Sequence, residues 1–140
     1  MVERLRPALG PRPIEIAIPA GLPPVDIDEV FIDQVLTNLL ENTARYAGPG
    51  TAVRISAREL GPDRIGLTIE DAGPGVPADA LPHLFEKFYR VARTGEGARR
   101  GTGLGLAVVR GLVETMGGRI TARPSGMGGL AMDLELRAAR

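Results

Sequence analysis

Residues 29–47 read Glu-Val-Phe-Ile-Asp-Gln-Val-Leu-Thr-Asn-Leu-Leu-Glu-Asn-Thr-Ala-Arg-Tyr-Ala, and the rest of the chain can be organised around them. Ile32, Val35, Leu36, Leu39 and Leu40 recur at helical spacing, and Asp26 or Asp28 can cap the start. Gly48-Pro49-Gly50 supplies the stop, so an amphipathic helix over Glu29 to Ala47 is predicted. With Asn38 as origin and about 100° per residue, Gln34, Glu41, Asn42 and Arg45 all fall within about 60° of it. The leucines lie on the other side. Most polar stripes of this kind are only solvated, but Asn is a poor helix former, costing a few tenths of a kcal/mol (~0.3) against Lys or Gln. Its carboxamide oxygen can, however, ligate a hard cation.

Upstream, Pro7, Gly10, Pro11 and Pro13 show no periodicity, and residues 1–13 are expected to be a linker remnant with little order. Ile14, Ile16 and Ile18 alternate with polar or small residues as in a half-buried strand. Downstream, Ala52 to Glu59 and Arg64 to Glu70 form a predicted hairpin around Gly61-Pro62-Asp63. A short helical patch near Ala80 to Tyr89 precedes a loop at 92–101. Leu104 to Met116 is apolar on nearly every face and is expected to be a buried helix stopped by Gly117-Gly118. Arg119 to Arg123 and Leu130 to Leu136 alternate as two final strands. This order suits one α/β (α+β) domain: a two-layer sandwich with a mixed, mostly antiparallel sheet and about three helices on one face.

Composition narrows the functional classes. The chain has 140 residues, 44% hydrophobic, enough for one core without disulfides, and it contains no Cys. Seventeen basic side chains balance seventeen acidic ones, so no positive field favours nucleic acid or anionic lipid. No apolar run approaches the roughly 20 residues that span a bilayer, and the start has no apolar core of a leader, so the piece is expected in the cytoplasm and not inserted in a membrane.

Two further patches carry chemistry. Asp71-Ala-Gly73-Pro-Gly75-Val76 ends an alternating strand and delivers an acceptor carboxylate at a turn. The glycines allow a flat ligand close to the backbone, and Asp71 can accept from an exocyclic amine. Alone it is an ordinary turn. Gly101-Thr102-Gly103-Leu104-Gly105-Leu106 leads into the second helix, where exposed N–H groups and the helix dipole suit phosphate, although alone the patch fits plain helix packing equally well. It lacks the Gly-x-Gly-x-x-Gly spacing and the preceding strand of a dinucleotide site, and it has no Gly-Lys-Ser/Thr of a P-loop.

Together, in this order, these patches resemble the catalytic, ATP-binding domain of bacterial two-component sensor histidine kinases. Asn38-Leu-Leu-Glu-Asn42-Thr-Ala-Arg45-Tyr46 is similar to that family's N box and Asp71-Ala-Gly73-Pro-Gly75 to its first glycine box. Phe85-Glu-Lys-Phe88-Tyr-Arg90 resembles its F box, and Gly101 to Leu106 its second glycine box. The resemblance covers about Ile14 to Leu136, and Phe31 to Gly48 looks similar to the potassium-responsive Kdp-type sensors. It implies the Bergerat fold of the GHKL group, shared with gyrase, Hsp90 chaperones and MutL. It also implies a catalytic domain over 14–140 with an ATP lid at about 76–101.

The resemblance implies roles as well. Asn42, with Asn38, would hold Mg²⁺ against the ATP phosphates, Arg45 would neutralise phosphate charge, and Tyr46 would lie near the nucleotide. Asp71 would bind the adenine amine in a pocket shaped by Gly73, Gly75 and Val76. Phe85 and Phe88 would anchor the lid. Gly101, Thr102, Gly103, Leu104, Gly105 and Leu106 would let the phosphates approach. The γ-phosphoryl group would pass to a histidine on a separate dimerising helical hairpin, and from there to a response regulator.

Departures from the pattern bear on that reading. Arg45 stands where many relatives have Lys, Thr43 replaces a usual Ala, and Ala72 a usual Asn. His83 is the only histidine, placed between Pro82 and Leu84, and is expected at the surface. The phosphoacceptor is therefore expected elsewhere in a larger kinase. The hydrolytic relatives use a glutamate four residues before the metal-binding Asn; that position is Asn38, which cannot act as a base. Alternatives are an anti-sigma-factor-type serine kinase of the same fold, or a nucleotide-binding interaction module.

Overall fold

The computed structural model describes residues 12–48, 50–87 and 105–139. Strand β1 (Ile14–Ala17) leads through a proline-rich connection to helix α1 (Glu29–Ala47), then to β2 (Val53–Glu59) and β3 (Arg64–Asp71). A 3-10 turn (Ala78–His83) follows, and after it come α2 (Gly105–Thr115), β4 (Arg119–Pro124) and β5 (Leu130–Arg137). The strands form one sheet in the order β1-β2-β3-β5-β4. β1 runs parallel to β2, Ile14 opposite Val53, so β1-α1-β2 is a crossover; every other pair is antiparallel.

The ends of α1 follow from local chemistry. Asp28 is the cap: its Oδ1 accepts from the amides of Val30 (2.9 Å) and Phe31 (3.1 Å). Gly48, at φ 92°, leaves the helix, and the Thr51 hydroxyl donates to the carbonyls of Ala47 and Gly48 at 2.7 Å each. The apolar stripe drives Val35, Leu39 and Leu40 into a core shared with Val109 and Val113 of α2 and with Val53, Ile55, Ile69, Met132 and Leu134 of the sheet. At about 25 cal/mol per Å² of apolar area, each such side chain contributes about 1.5–3 kcal/mol.

Three expectations are corrected. α2 is not buried all round: Val109 and Val113 are the buried stripe, whereas Val108 is 45% exposed and Arg110 and Glu114 face outward. One face of α2 packs on α1 and β4, and among the described residues no further layer covers the rest. β1 stops at Ala17, with Ile16 and Ile18 exposed, because an edge strand has a neighbour on one side only. The helical patch near residue 80 is a 3-10 turn, with Pro82 removing an amide donor. Among the described residues the helical layer is thus two α-helices and this turn.

Among the described residues no helix lies on the other face of the sheet, where polar side chains bond to one another. Thr68 donates to Asp133 Oδ1 (2.7 Å), Arg123 Nε to Asp133 Oδ2 (2.6 Å), and Arg58 to Thr68 (3.2 Å). Burial opposes ionisation of Asp133. The hydrogen bonds from Arg123 and Thr68 and the nearby charges of Arg123 and Arg58 outweigh it and hold the carboxyl below its ordinary value.

Candidate functional site

The sheet delivers Asp71 to a confined place. It is the last residue of β3, opposite Val53 of β2, and only 6% exposed. Past it the chain turns: Ala72 N donates to Ala52 O (3.0 Å), and Gly73 N to Asp71 Oδ1 (2.9 Å). Gly73 presses so closely on the end of α1 that a Cβ would lie 2.7 Å from Ala47 Cα and 2.9 Å from its carbonyl oxygen. Gly75 has φ 71°, a left-handed value that favours glycine. The first glycine patch is therefore a junction of β3 with the C-terminus of α1. Val76 continues from it, half-buried against the core.

On α1, Gln34, Glu41 and Arg45 are exposed and Asn38 and Asn42 half-buried, so the expected polar face is kept out of the core. Gln34 Nε2 donates to Asn38 Oδ1 (3.1 Å), and the Arg45 guanidinium stands 5.9 Å from the centre of the Tyr46 ring, within cation–π range. A cleft of about 410 Å³ is lined by Asp28 and Phe31 from the start of α1 and by Glu114, Thr115, Met116 and Gly117 from the end of α2. The helices thus pack antiparallel, which turns the Gly105 end of α2 toward the half of α1 that carries Asn42 and Arg45.

Gly105 is exposed, with nothing among the described residues within 4 Å of a Cβ built on it, and Leu106 packs against the core. Phe85 is buried in the core beside Leu84. Phe88, Gly101, Thr102, Gly103 and Leu104 lie outside the described residues, as do Val91 to Arg100 and residues 1–11. His83 is exposed, its Nδ1 2.8 Å from Glu86 Oε2. Among the described residues no cluster of three or more His, Cys, Asp or Glu could hold a metal, so an ion here would need amide or phosphate oxygens.

The structure adds partners that sequence reading missed. Gly129 N donates to Asp71 O (3.1 Å) and Leu130 N to Asp71 Oδ1 (3.4 Å). Ala47 is the wall against Gly73. Gly128-Gly129 sits between the two last strands, and only the pairing of β3 with β5 brings it to Asp71.

The profile of the family described as histidine kinase-, DNA gyrase B- and HSP90-like ATPase matches residues 27–140. Sensor protein KdpD of Escherichia coli K12 is 39% identical over 127 residues, covering 89% of this chain and 14% of that protein. The chain thus spans a small part of the relative's length. Among solved structures, the mycobacterial sensor histidine kinase MprB superposes with TM-score 0.83 at 28% identity, over 98% of this chain and 90% of that one. Full-length ShkA in complex with AMPPNP gives TM-score 0.74 at 28% identity, over 99% and 31% of the two chains.

Proposed function

The chain belongs to the family of histidine kinase-, DNA gyrase B- and HSP90-like ATPases, and from that premise we propose that it is the ATP-binding catalytic domain of a sensor histidine kinase. It binds Mg²⁺-ATP and transfers the γ-phosphoryl group to a histidine on a dimerising helical hairpin of the longer protein, which then serves a response regulator in the cytoplasm. The observation that carries this reading is Asp71: a buried carboxylate, held by backbone amides at the end of β3, where the following turn packs on the C-terminus of α1. A neutral purine amine is a suitable donor to such a group. The AMPPNP bound by ShkA is a non-hydrolysable ATP analogue, which favours the same ligand class here.

The polar face of α1 takes the phosphate end. The Asn42 carboxamide oxygen suits Mg²⁺, which prefers few protein ligands and keeps phosphate oxygens and water. Asn38 stands one turn away with its oxygen already accepting from Gln34, so it is the secondary ligand. Arg45 offsets phosphate charge, and Tyr46 lies beneath its guanidinium. The N-terminus of α2, from Gly105, adds backbone donors at the positive end of a dipole. Phosphoryl transfer then requires an imidazole nitrogen of the acceptor in line with the leaving ADP oxygen: the P–N bond forms as the P–O bond to ADP breaks. The domain's share is positioning and charge neutralisation. Asn38 cannot activate water, which disfavours hydrolysis.

The test is calorimetric titration with a non-hydrolysable ATP analogue, with and without Mg²⁺, followed by radiolabel transfer in trans to a histidine-bearing hairpin. Metal-dependent binding and an acid-labile, base-stable phosphoryl mark are expected. Transfer to serine would move the chain to the anti-sigma class, and absence of binding would leave an interaction module.

A further inference from the structure

Asp71 is not held by its own turn alone. The turn between β4 and β5, more than fifty residues away in sequence, closes over it. Gly129 N donates to the Asp71 carbonyl (3.1 Å), and Leu130 N and Gly73 N both reach Oδ1 (3.4 and 2.9 Å). Donors arriving at one oxygen from two separate segments fix the rotation of the carboxylate. Gly129 is buried, and a Cβ there would collide with Asp71 Oδ1 while lying 2.5 Å from the Asp71 carbonyl oxygen and 2.8 Å from Gly73 N. A side chain at 129 and the present setting of Asp71 exclude each other.

The turn is itself anchored to the strand that carries Asp71. Ser125 N donates to Gly129 O (2.8 Å) and Gly128 N to Ser125 O (3.0 Å), closing the loop. The buried Ser125 hydroxyl donates to Glu70 Oε1 (2.7 Å), one residue before Asp71, and accepts from Met127 N (2.9 Å). Glu70 is 8% exposed, and its other oxygen lies 3.8 Å from Arg54.

We propose that Gly129, supported by Ser125, is a positioning residue for Asp71 that sets the preference for a purine nucleotide bearing an exocyclic amine. The inference rests on the reading of Asp71 as the base contact. Neither residue touches the ligand; both act through the direction in which the carboxylate is presented.

The test compares affinities for an ATP analogue and for the matching purine riboside triphosphate analogue, which lacks only the amine, and reports their ratio. A merely structural substitution lowers both affinities together and leaves the ratio alone. In the parent the ratio is expected to be about tenfold or more, the worth of one buried charge-assisted hydrogen bond. Gly129→Ala is expected to bring it to about one by weakening the amine-bearing ligand selectively. Ser125→Ala, which adds no bulk, should lower it by about threefold. Gly126→Ala lies in the same turn with nothing within 4 Å of its Cβ, and should leave the ratio unchanged. A folded Gly129→Ala protein with the parent ratio overturns the proposal. If that variant does not fold, Ser125→Ala decides by the same reading: a lowered ratio supports the proposal, an unchanged one overturns it. Asp71→Asn separates the two levels. If it abolishes the ratio while Gly129→Ala does not, only the positioning role falls; if Asp71→Asn also keeps the ratio, the base contact falls with it.

Discussion

Gly73, the first glycine of one glycine-rich patch, and Gly105, the last of the other, stand in surroundings that are built differently. At Gly73 there is no room: Ala47 of α1 occupies the space a side chain would need, and Gly75 lies against the β4–β5 turn. At Gly105 a side chain would meet nothing described. The first glycine is required by the fold's own packing, whereas nothing among the described residues requires the second. A glycine that packing does not require, at the first turn of a helix where Ala is the better helix former, points to a demand made by a ligand. The proposed base end is thus packed against α1 and the β4–β5 turn, whereas among the described residues nothing fills the space at Gly105, the proposed phosphate end.

The largest effect that could break this comparison is expected from Gly73→Ala. The obstructing atoms are backbone, so relief requires α1 to part from β3, and urea denaturation should show a loss of about 1–3 kcal/mol with ATP affinity falling too. Unchanged stability would mean the junction is loose. Asp71→Asn should spare the fold but weaken ATP about tenfold to a hundredfold by calorimetry, since an amide presents a donor where an acceptor is required. Parent-like affinity would remove the base contact. Asn42→Ala should flatten the Mg²⁺ dependence of ATP binding by several fold (~5-fold), as judged by metal titration at fixed nucleotide. An unaltered titration would take Asn42 out of the metal site. Gly105→Ala sharpens the contrast from the other side: thermal unfolding should show a gain of up to about 1 kcal/mol, while nucleotide affinity falls.

The smallest effect belongs to the face of the sheet that carries Asp133, far from these glycines in function. Asp133 has its folded pKa below the ordinary 3.8, so its contribution to stability is fully present above that value. It is lost as pH falls through the lower folded value. Asp133→Asn should therefore cost about 1 kcal/mol at neutral pH, with the difference from the parent shrinking at the acid end of a pH-resolved melt. ATP affinity should not change. A large change in affinity would show that the two faces of the sheet are coupled.

Much of this architecture was legible in local pattern. The stripe Ile32, Val35, Leu36, Leu39 and Leu40, the Asp28 cap and the Gly48 stop suffice to place α1 from Glu29 to Ala47, since capping and periodicity act within a few residues. The hairpin around Gly61 and the two last strands follow from alternation and turn chemistry. The exposure of α2 was not legible, because its apolar residues all round imply a covered helix, and only the number of layers decides what covers it. The parallel setting of β1 had the same status: alternation places a strand but not its neighbour.

For the candidate site the division is similar. Asn38, Asn42, Arg45 and Asp71 stood out by residue type and spacing, because a helix face and a strand end are local geometries. The sequence by itself determined which groups are presented and on which elements. Only the tertiary structure decided what holds them: Ala47 against Gly73, and Gly129 and Leu130 around Asp71. Those contacts exist because β3 pairs with β5 and α1 packs across the sheet, and pairing of segments distant in the chain leaves no periodic trace in either of them.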